Sequence, residues 1–488
     1  MTHPAPPITA WHPMGEDAVL LEFADPELRW SVASPLAREL VVGARTVLVR
    51  YDPTRHAAGA VVESVQVGGQ TGRVPREHLI DVVYDGPDLP DVAQRAGLSA
   101  PEVVRRHTTT VYTCEFCGFA PGFAYLSDWT PRWSGLGATV PVRGFRPAPW
   151  RSPARSPRRT PHRPRRLATA GDHLGRPVPG RPRPPCADPS RRPRAFPGGP
   201  VIIVRHPGPL TTVQDRGRPG WSSVGVTPSG AYDRAAAHRA NRLVGNSESH
   251  AVLEAVGGGL DLEFVDASVI AVTGATGSVA VDGVAAARNA TVIVRAGARL
   301  TLGPLTRGLR SYLAVRGGIA VAPVMGSRSW DSLGRVGPPP LAVGDALPVG
   351  PGRGALPPLD HVPVVADDGA LTMAPGPRLD WFAADSWRLL TSTEYLVSPD
   401  SDRIGVRLTG PALTRVAHRR TAELPPEGMV RGAIQVPPDG LPILLGPDHP
   451  TTGGYPVVGV LSGASSDRCA QLLPGDRVRL SAILDPGR

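Results

Sequence analysis

The sequence predicts a mainly β protein with a small α+β portion at its N-terminus. Gly and Pro are unusually frequent, with 56 Gly and 57 Pro among 488 residues, which is about twice their share in an average protein. Short apolar runs with strand-like patterning recur between turn residues. Helical periodicity is confined to a few segments. Together these observations favour short strands and many turns over long helices.

Residues 1–110 are predicted to form the small α+β domain. Their strand-like runs are AVLLEF, RTVLVRY and HLIDVVY. A first helix is expected in PDLPDVAQRAGLS, where Leu89 and Ala93 share a face and Gly97 ends the helix. A second helix is expected in SAPEVVRRHTT, with Ser99 as its N-cap.

The segment 111–140 opens with an aromatic-rich strand and a Gly/Pro loop, VYTCEFCGFAPGFAYLSDW. Cys114 and Cys117 form a CxxC pattern on this strand. In a regular strand, positions i and i+3 point to opposite faces, which suits neither a metal chelate nor a redox pair. Four cysteines are also too few for a disulfide scaffold in a chain of this length. We therefore expect cysteines that pack.

Residues 198–488 are predicted to form a β-barrel or sandwich, because strand-like runs alternate with turn residues at short intervals. The runs are SVIAVTG, ATVIVRAG, SYLAVRGG, IQVPPDG, PILLG, VVGVLSG and DRVRLSAIL. One helix is expected in SGAYDRAAAHRANRLVGN. Ser229 is its predicted N-cap, Asp233 lies in its first turn, and Gly245 follows its end.

The net charge of +10 comes from one segment. Residues 141–197 contain 15 Arg, 15 Pro and only two acidic residues, whereas the rest of the chain is close to neutral. With almost no apolar residues, this segment cannot form a core. It is interpreted either as a disordered basic linker or as an RNA-binding tail. The segment lacks the interleaved aromatic residues of an RNA-binding tail, so nucleic acid is not expected as a partner.

The residue types and motifs that the sequence lacks exclude several classes of function. All 53 basic residues are Arg, so the chain has no P-loop lysine, no lysine for a pyridoxal phosphate Schiff base and no covalently bound biotin. The common dinucleotide, serine-hydrolase, zinc-protease and EF-hand signatures are absent. The 13 His lack metal-ligand spacing, so no metal site is predicted. No run reaches the roughly 18 apolar residues of a membrane span, and the N-terminus lacks signal-peptide order, so we expect a cytoplasmic protein.

The C-terminal part contains several distinctive loop motifs. The first is GPLTTVQDRGRPGWSSVGVTPSGAYDRAAAHRANRLVGN, and the last two are EGMVRGAIQVPPDGLPILLGPDHPTTGGYP and LLPGDRVRL. YLAVRGGI, GSRSWD and SDRIGVRLTGPAL lie between them. Together these motifs closely resemble the biotin-dependent carboxyltransferase-like family (allophanate hydrolase subunit 2). Members of this family include the third subunit of bacterial ATP-dependent 5-oxoprolinase, the carboxyltransferase part of urea carboxylase, and an antagonist of a sporulation-kinase inhibitor.

The N-terminal part contains, in this order, the motifs GEDAVLLEF, YDP, the helix DGPDLPDVAQRAGLS and CGFAPGFAYLSDW. Their sequence and order resemble the partner subunit of the same system (allophanate hydrolase subunit 1). The chain therefore resembles a fusion of the second and third 5-oxoprolinase subunits. The resemblance implies cyclophilin-like β-barrels after the α+β domain, the first beginning in 111–140 and the second occupying 198–488.

The resemblance breaks down between the two halves. After GFAPGFAYL the family continues through a PAGSV-like strand, a TGVYP-like stretch and a PGGW loop, and the Arg/Pro segment replaces them. A displaced reading frame over residues 133–197 is therefore the third interpretation of this segment, and the one we favour over a true linker. It predicts an incomplete first barrel.

The resemblance implies a subunit of an ATP-dependent 5-oxoprolinase, which hydrolyses 5-oxoproline to glutamate with ATP cleavage. ATP would be a co-substrate, and a separate first subunit would be the partner. Two alternatives stay open. One is the carboxyltransferase component of a biotin-dependent urea or amide carboxylase. The other is a non-catalytic protein that binds and regulates a kinase.

Candidate ligand-binding residues lie in the Gly-rich loops, and no nucleophile or base is assigned. Arg218 and Arg403 are predicted to bind anions. Polar contacts to substrate are predicted for residues that carry amide, carboxylate or hydroxyl groups: Gln214, Asp215, Gln435 and Thr452. The remaining candidates belong to the same loops and the first helix turn: Ser229, Asp233, Asp439, Thr451 and Tyr455.

Each candidate also has a structural interpretation. Asp215 could cap a turn and pair with Arg218, and the SDR turn around Arg403 could form an ion pair. The aromatic residues Phe119, Phe123 and Tyr125 are predicted either to wall a cleft or to belong to the core. His206 and His449 are interpreted as surface residues.

Overall fold

A computed structural model describes residues 8–68, 76–127, 167–169, 200–357, 361–362 and 369–483. The chain divides into two units. The first comprises residues 1–69, 118–122 and 180–488, and the second residues 70–117 and 123–179. Apart from residues 167–169, the Arg/Pro segment lies outside the described residues. The structure therefore does not test whether it is a linker or the product of a displaced reading frame.

The first unit opens with a four-stranded sheet in the order β1-β2-β5-β4. The elements of this region are β1 (Ile8–Pro13), β2 (Ala18–Phe23), β3 (Val32–Ala33), β4 (Ala37–Val42), β5 (Thr46–Tyr51), α1 (Ala58–Glu63) and β6 (Gln66–Val67). The predicted runs AVLLEF and RTVLVRY form the central strands β2 and β5. Both faces of these strands are buried, which explains why the runs are continuously apolar.

The second unit contains a four-stranded sheet in the order β7-β10-β8-β9 and two helices. Its elements are β7 (Arg76–His78), α2 (Leu89–Ala96), α3 (Ala100–Thr109), β8 (Thr113–Cys117), β9 (Ala124–Ser127) and β10 (Leu167–Thr169). Both predicted helices are confirmed. Gly97 closes α2 with a left-handed φ of 62°, and the Ser99 side chain accepts from the backbone N–H of Glu102 at the start of α3.

The prediction of a strand at HLIDVVY is wrong beyond its first residue. Only His78 belongs to a strand, and residues 79–84 are irregular. Leu79 and Val83 are 59% and 79% exposed. A strand requires a hydrogen-bonding neighbour, and among the described residues none pairs with this run.

The prediction that Cys114 and Cys117 point to opposite faces of the strand is also wrong, because β8 contains a bulge. Cys114 pairs with Leu126, Phe116 with Tyr125 and Cys117 with Ala124, so Glu115 is the extra residue of β8 at the bulge. A bulge inserts one extra residue into one strand and reverses the alternation beyond it. Cys114 and Cys117 therefore share a face of the sheet.

An open sheet of nine strands follows in the first unit. Its elements are β11 (Val201–Pro207), β12 (Leu210–Gln214), α4 (Arg234–Leu243), β13 (Val252–Val256), β14 (Leu260–Phe264), β15 (Ser268–Val281), β16 (Val284–Ala285), β17 (Thr291–Val294), β18 (Arg299–Val315) and β19 (Ala346–Pro348). The small residues Ala236, Ala237 and Ala240 of α4 pack against β15 and β18, which allows the helix to approach the sheet closely.

The predicted N-cap of α4 is incorrect. The helix begins at Arg234, and the side chain of Asp233 accepts from the backbone N–H of Ala236. Ser229 lies four residues earlier, in a left-handed conformation with φ 56°. Gly245 follows the helix end, as predicted, with φ 70°.

The C-terminal part forms a closed barrel in the order β20-β27-β24-β25-β22-β21-β28, with β23 and β26 paired beside it. Its elements are β20 (Leu371–Pro375), α5 (Ser386–Ser392), β21 (Glu394–Val397), β22 (Gly405–Thr409), β23 (Glu427–Gly428), β24 (Ala433–Gln435), β25 (Ile443–Leu445), β26 (Thr452–Gly453), β27 (Val457–Leu461), α6 (Gly463–Arg468) and β28 (Arg477–Ala482). Within the ranges given above, no helix has the length and apolar character needed to cross a membrane. The predicted mainly β fold is confirmed.

The N-terminal sheet shares a core with this barrel. Leu20 and Leu48 pack in one cluster with Met429 and Val460. Gly428 allows this approach, because a Cβ there would lie 2.5 Å from Leu48 Cβ. At the edge of the contact, Arg378 pairs with both Glu22 and Glu427. A hydrogen bond with His12, together with Arg378, lowers the pKa of Glu22 to about 2 even though burial opposes this shift.

We predict that Leu48→Ala destabilises the first unit by about 2–5 kcal/mol, since it removes a fully buried side chain and leaves a cavity between the sheet and the barrel. The measurement is urea unfolding. Leu210→Ala is the matched control, because Leu210 is 38% exposed. Equal unfolding midpoints for the two variants would contradict a core shared by the sheet and the barrel.

Candidate functional site

A buried arginine, Arg403, joins three parts of the first unit. Its Nε and Nη2 bind the two carboxylate oxygens of Asp448 at 2.8 and 3.0 Å, and its Nη1 binds Glu254 at 2.6 Å. Nη2 also donates to the carbonyl of Gly230 at 2.7 Å. Burial lowers the pKa of Arg403, but the charges of Asp448 and Glu254 outweigh burial and raise it. Every guanidinium nitrogen therefore has a protein acceptor, which matches the structural interpretation of the SDR turn.

Asp448 is the centre of this cluster. It is fully buried and accepts from Ser229 Oγ at 2.6 Å, and from the backbone N–H and hydroxyl of Ser332 at 2.9 and 2.7 Å. Burial raises its pKa, but the charge and hydrogen bonds of Arg403 outweigh burial and lower it. Asp448 is therefore held ionised, and it fixes the left-handed backbone at Ser229.

Asp215 organises the neighbouring GSRS loop. Its carboxylate accepts from the backbone N–H of Gly217 at 2.8 Å and from the hydroxyls of Ser327 and Ser329 at 2.5 and 2.6 Å. It also accepts from the backbone N–H of Arg328 at 2.6 Å. These donors are all within the protein, so Asp215 serves as a loop cap, as its structural interpretation proposed.

Arg218 differs from Arg403 because most of its donors have no acceptor. It is 1% exposed, and its Nη2 donates to the carbonyl of Ser329. Its Nε and Nη1 are buried without a hydrogen-bond partner. Among the described residues no carboxylate lies within ion-pairing distance of it, so the predicted pair with Asp215 does not form. Burial lowers the pKa of Arg218, and the charge of Asp331 is the strongest opposing influence.

Asp331 is the counterpart of Arg218. It is fully buried, and its Oδ1 accepts from the backbone N–H groups of Leu333 and Gly334 at 3.0 and 3.1 Å. Its Oδ2 has no donor. Burial, followed by the charge of Asp448, raises the pKa of Asp331 to about 6. Asp331 and Asp448 were not among the residues predicted from the sequence. The available signal was their position as acidic residues inside the motifs GSRSWD and GPDHP.

Gln214 and Thr451 add further unsatisfied groups. Gln214 is fully buried, and its Nε2 donates to the carbonyl of Trp330 at 3.0 Å and to Thr212 Oγ1 at 3.1 Å. This orientation leaves its Oε1 without a donor. Thr451 is 2% exposed and its hydroxyl has no partner.

The GFAPG loop of residues 118–122 lies against these loops. Phe119 donates its backbone N–H to Thr452 Oγ1 at 3.0 Å, and Gly122 donates to the carbonyl of Val224 at 2.9 Å. Gly118 is required here, because a Cβ would lie 2.1 Å from Thr452 Oγ1. The structure thus brings Phe119 and Thr452 together.

The other aromatic candidates belong to the second unit. There Tyr125 stacks on Phe116 with ring centroids 4.4 Å apart, and Phe123 meets Tyr125 edge-on at 5.2 Å. The rings of Phe123 and Tyr125 therefore make local packing contacts, but neither is fully buried as a core residue would be.

Three more candidates have structural partners in the first unit. Gln435 is buried and donates to the carbonyl of Tyr455 at 3.3 Å. Asp439 is exposed and caps the N–H of Leu441 in a turn. Asp233 caps α4 and accepts from Gln471 at 2.9 Å.

The surface interpretation is wrong for His449. His449 is 2% exposed and its Nδ1 contacts the carbonyl of Pro450 at 2.8 Å. Burial and the charge of Arg50 lower its pKa to about 3, so the ring is neutral near pH 7. His206 is exposed, as expected.

A cavity of about 560 Å³ lies elsewhere on the open sheet of the first unit. His250, Gly317, Gly318, Arg328 and Gly350 are among the residues that line it. None of the unsatisfied groups described above lines this cavity. Across the described residues, no cluster of His, Cys, Asp and Glu has the arrangement of a metal site.

We predict that Arg403→Met destabilises the protein by about 3–5 kcal/mol, because it leaves the buried Asp448 and Glu254 without their cation. Urea unfolding measures this change. Arg299→Met is the control, since Arg299 pairs with Asp261 on the surface and little change is expected. An equally small effect of both substitutions would show that Arg403 does not hold the loops together.

We also predict a pH-dependent effect of Asp331→Asn. The folded state holds the proton of Asp331 up to a pH of about 6, whereas the unfolded chain releases it near 3.8, so the parent loses stability as the pH rises between these values. The variant is expected to be more stable at pH 7.5 by on the order of 2–3 kcal/mol. This gain is expected to shrink as the pH falls from 6 to 4. A gain independent of pH would contradict burial of an ionised Asp331.

Each half of this chain is similar in sequence to known proteins. The C subunit of 5-oxoprolinase from Escherichia coli strain K12 is 37% identical over 281 residues, which cover 57% of this chain and 90% of that protein. A 5-oxoprolinase B subunit from Escherichia coli O157:H7 is 32% identical over 133 residues, covering 24% of this chain and 61% of that protein. Urea amidolyase of Lachancea kluyveri is 32% identical over 308 residues, but the match covers only 17% of that protein.

A solved crystal structure has a similar fold over nearly the whole length of this chain. The crystal structure of the protein TTHA0988 superimposes with a TM-score of 0.73 and 26% identity, covering 95% of this chain and 99% of that one. Family models for the carboxyltransferase domain match two regions, subdomains C and D at residues 9–141 and subdomains A and B at residues 224–482. The chain belongs to the carboxyltransferase domain family and combines the parts that two separate 5-oxoprolinase subunits carry.

Proposed function

We propose that this chain is the fused second and third subunit of an ATP-dependent 5-oxoprolinase, which hydrolyses 5-oxoproline to glutamate with ATP cleavage. The observation that carries the proposal is the presence, in one chain, of regions similar to two different 5-oxoprolinase subunits. The shared core between the N-terminal sheet and the C-terminal barrel is what such a fusion requires, because it holds the two halves together without a separate association step.

The unsatisfied polar groups suit a small ligand with both acceptors and donors. Nε and Nη1 of Arg218 need acceptors, whereas Asp331 Oδ2 and Gln214 Oε1 need donors. Leaving such groups buried and unpaired costs about 1–3 kcal/mol each. 5-Oxoproline offers a carboxylate, a lactam carbonyl and a lactam N–H. In this proposal Arg218 binds the carboxylate or the carbonyl oxygen, and Asp331 and Gln214 receive hydrogen bonds from the substrate.

The anionic substrate also distinguishes between the two reaction classes. Urea is neutral, so it cannot compensate the charge of a buried arginine, whereas the carboxylate of 5-oxoproline can. A urea carboxylase remains the second candidate because the urea amidolyases match the same region. That reaction would need a biotin carrier outside the 488 residues of this sequence, since they contain no lysine.

ATP cleavage fits the chemistry of lactam opening. Phosphorylation of the amide oxygen creates a good leaving group, and charge on a transferring phosphoryl group is stabilised by fixed donors. Without lysine, we assign this purpose to Arg side chains and backbone N–H groups of the chain. We propose that a separate first subunit completes the reaction, and we assign no nucleophile to this chain.

The test is 5-oxoproline-dependent ADP release by the full chain purified with its first subunit, with urea as the comparison substrate. We expect release with 5-oxoproline and none with urea. Release with urea and biotin-carrying partners would instead support the carboxylase. Stoichiometric binding of a kinase without turnover on either substrate would contradict both.

Substitution of Arg218 tests the site itself. Arg218→Gln is expected to reduce kcat/KM for 5-oxoproline by roughly 10- to 100-fold, because a hydrogen bond to a charged group contributes about 1.5–3 kcal/mol. Arg205→Gln is the matched control, since Arg205 is an exposed residue that pairs with Glu263. Thermal melting of both variants checks folding. An unchanged kcat/KM in a folded Arg218→Gln protein would exclude Arg218 from substrate binding.

A further inference from the structure

The CxxC pair lies on a bulged strand of the second unit, and the proposed function does not use it. On the partner strand β9, the residues opposite the two cysteines are Leu126 and Ala124. These are two positions apart on a regular strand, so they point to one face. Residues directly opposite each other in an antiparallel pair also share a face. Cys114 and Cys117 therefore project from the same side of the sheet.

The spacing of the pair follows from the same register. Two residues along a strand span about 6.7 Å, so the Cα atoms of Cys114 and Cys117 are expected at about this separation. Disulfides join Cα atoms about 4.4–6.8 Å apart. Without the bulge the two residues would be three positions apart, at about 10 Å and on opposite faces. Glu115, the extra residue of the bulge, thus places the Cα atoms of the two cysteines at the upper end of the disulfide range.

The chemistry of the two thiols is asymmetric. Both are free and half-buried, and each one influences the pKa of the other. The Cys114 thiol lies 3.7 Å from the carbonyl oxygen of Phe116, to which it donates. The hydrogen bond from Cys114 lowers the pKa of Cys117 to about 7, although burial opposes the shift, whereas the pKa of Cys114 is raised. Thiolate, the reactive form, therefore accumulates on Cys117.

Phe116, on the face of β8 opposite to the two cysteines, provides the main packing contact of this strand. Phe116 stacks on Tyr125 with ring centroids 4.4 Å apart, and Phe116 is the residue of β8 that is buried. The apolar contact of this strand is thus made by Phe116, on the face opposite to Cys114 and Cys117. Within the described residues the two thiols are also not part of a metal-binding cluster.

We propose that Cys114 and Cys117 form a reversible intramolecular disulfide when the protein meets a low-molecular-weight disulfide. The Cys117 thiolate attacks the oxidant, forms a mixed disulfide and releases one thiol. The Cys114 thiol then loses its proton and attacks the Cys117 sulfur, which releases the second thiol. Two protein thiols are oxidised and one oxidant disulfide is reduced to two thiols. A dithiol reductant reverses the reaction.

The test uses the full chain treated with oxidised glutathione, blocked with iodoacetamide and cleaved after arginine. Cleavage after Arg106 and Arg132 releases a peptide that contains Cys114 and Cys117 and no other cysteine. We expect this peptide to be two hydrogens lighter than the reduced form and to carry no alkyl group or glutathione. Dithiothreitol added before blocking is expected to restore two alkylation sites. A peptide that keeps both alkylation sites, or carries two glutathiones, would overturn the proposal.

Single variants test the order of the two steps. In Cys114→Ser, Cys117 is expected to accumulate as a stable glutathione adduct, because the resolving thiol is missing. In Cys117→Ser, Cys114 is expected to stay largely unmodified. Cys186→Ser is the control and is expected to form the disulfide as the parent does. A disulfide that requires Cys186, or adduct formation that is equal in the two single variants, would contradict the mechanism.

Discussion

The buried guanidinium of Arg403 is the interaction on which the arrangement of loops in the first unit depends. A buried charge is tolerated only when each of its donors finds an acceptor, and Arg403 finds acceptors on the open sheet, on the 215–233 loop and on the loop after β25. Glu254 and Asp448 are therefore held at fixed positions relative to each other. Asp448 in turn binds Ser229 and Ser332, so a single cation determines the positions of four loops, including the segment that carries Asp331.

The N-terminal sheet is a second constraint, because it has apolar residues on both faces. One face, with Val19 and Val47, packs on α1, and the other, with Leu20 and Leu48, packs on the barrel. A sheet of this kind exposes a large apolar surface if the barrel is removed. A fusion of two subunits is favourable for such a surface, since covalent linkage keeps the two halves at a high effective concentration.

Sequence patterns predicted the elements well where local signals determine them. Alternation and continuous apolar runs located β2, β5, β15, β18, β27 and β28, and turn residues located the ends of α2 and α4. They failed where the structure depends on partners distant in sequence. HLIDVVY has strand composition but no pairing neighbour among the described residues, and a bulge at Glu115 reversed the faces of the CxxC pair. The sequence identified the loops of the site but not the roles of their residues. All hydrogen-bonding groups of Asp215 and Arg403 have protein partners, and the unsatisfied Asp331 was not predicted. Which polar groups find a partner depends on the three-dimensional arrangement of donors and acceptors, which local sequence patterns do not specify.

The separation of Arg218 from Asp331 is itself imposed by the fold. Nη2 of Arg218 is anchored to the carbonyl of Ser329, and Oδ1 of Asp331 is anchored by the backbone N–H of Gly334, so each side chain is held in place by its own loop. Two glycines keep the surroundings of these groups free of side chains. A Cβ at Gly334 would lie 2.5 Å from Asp331 Oδ2, and one at Gly337 would lie 3.0 Å from Arg218 Nη2. A cation and an acid of opposite charge are thus buried near each other without contact, and each keeps hydrogen-bonding capacity that the protein leaves unused. In a well-packed interior such capacity is costly unless something other than the protein satisfies it, which is why this pair, and not the saturated Arg403 cluster, carries the argument for ligand binding.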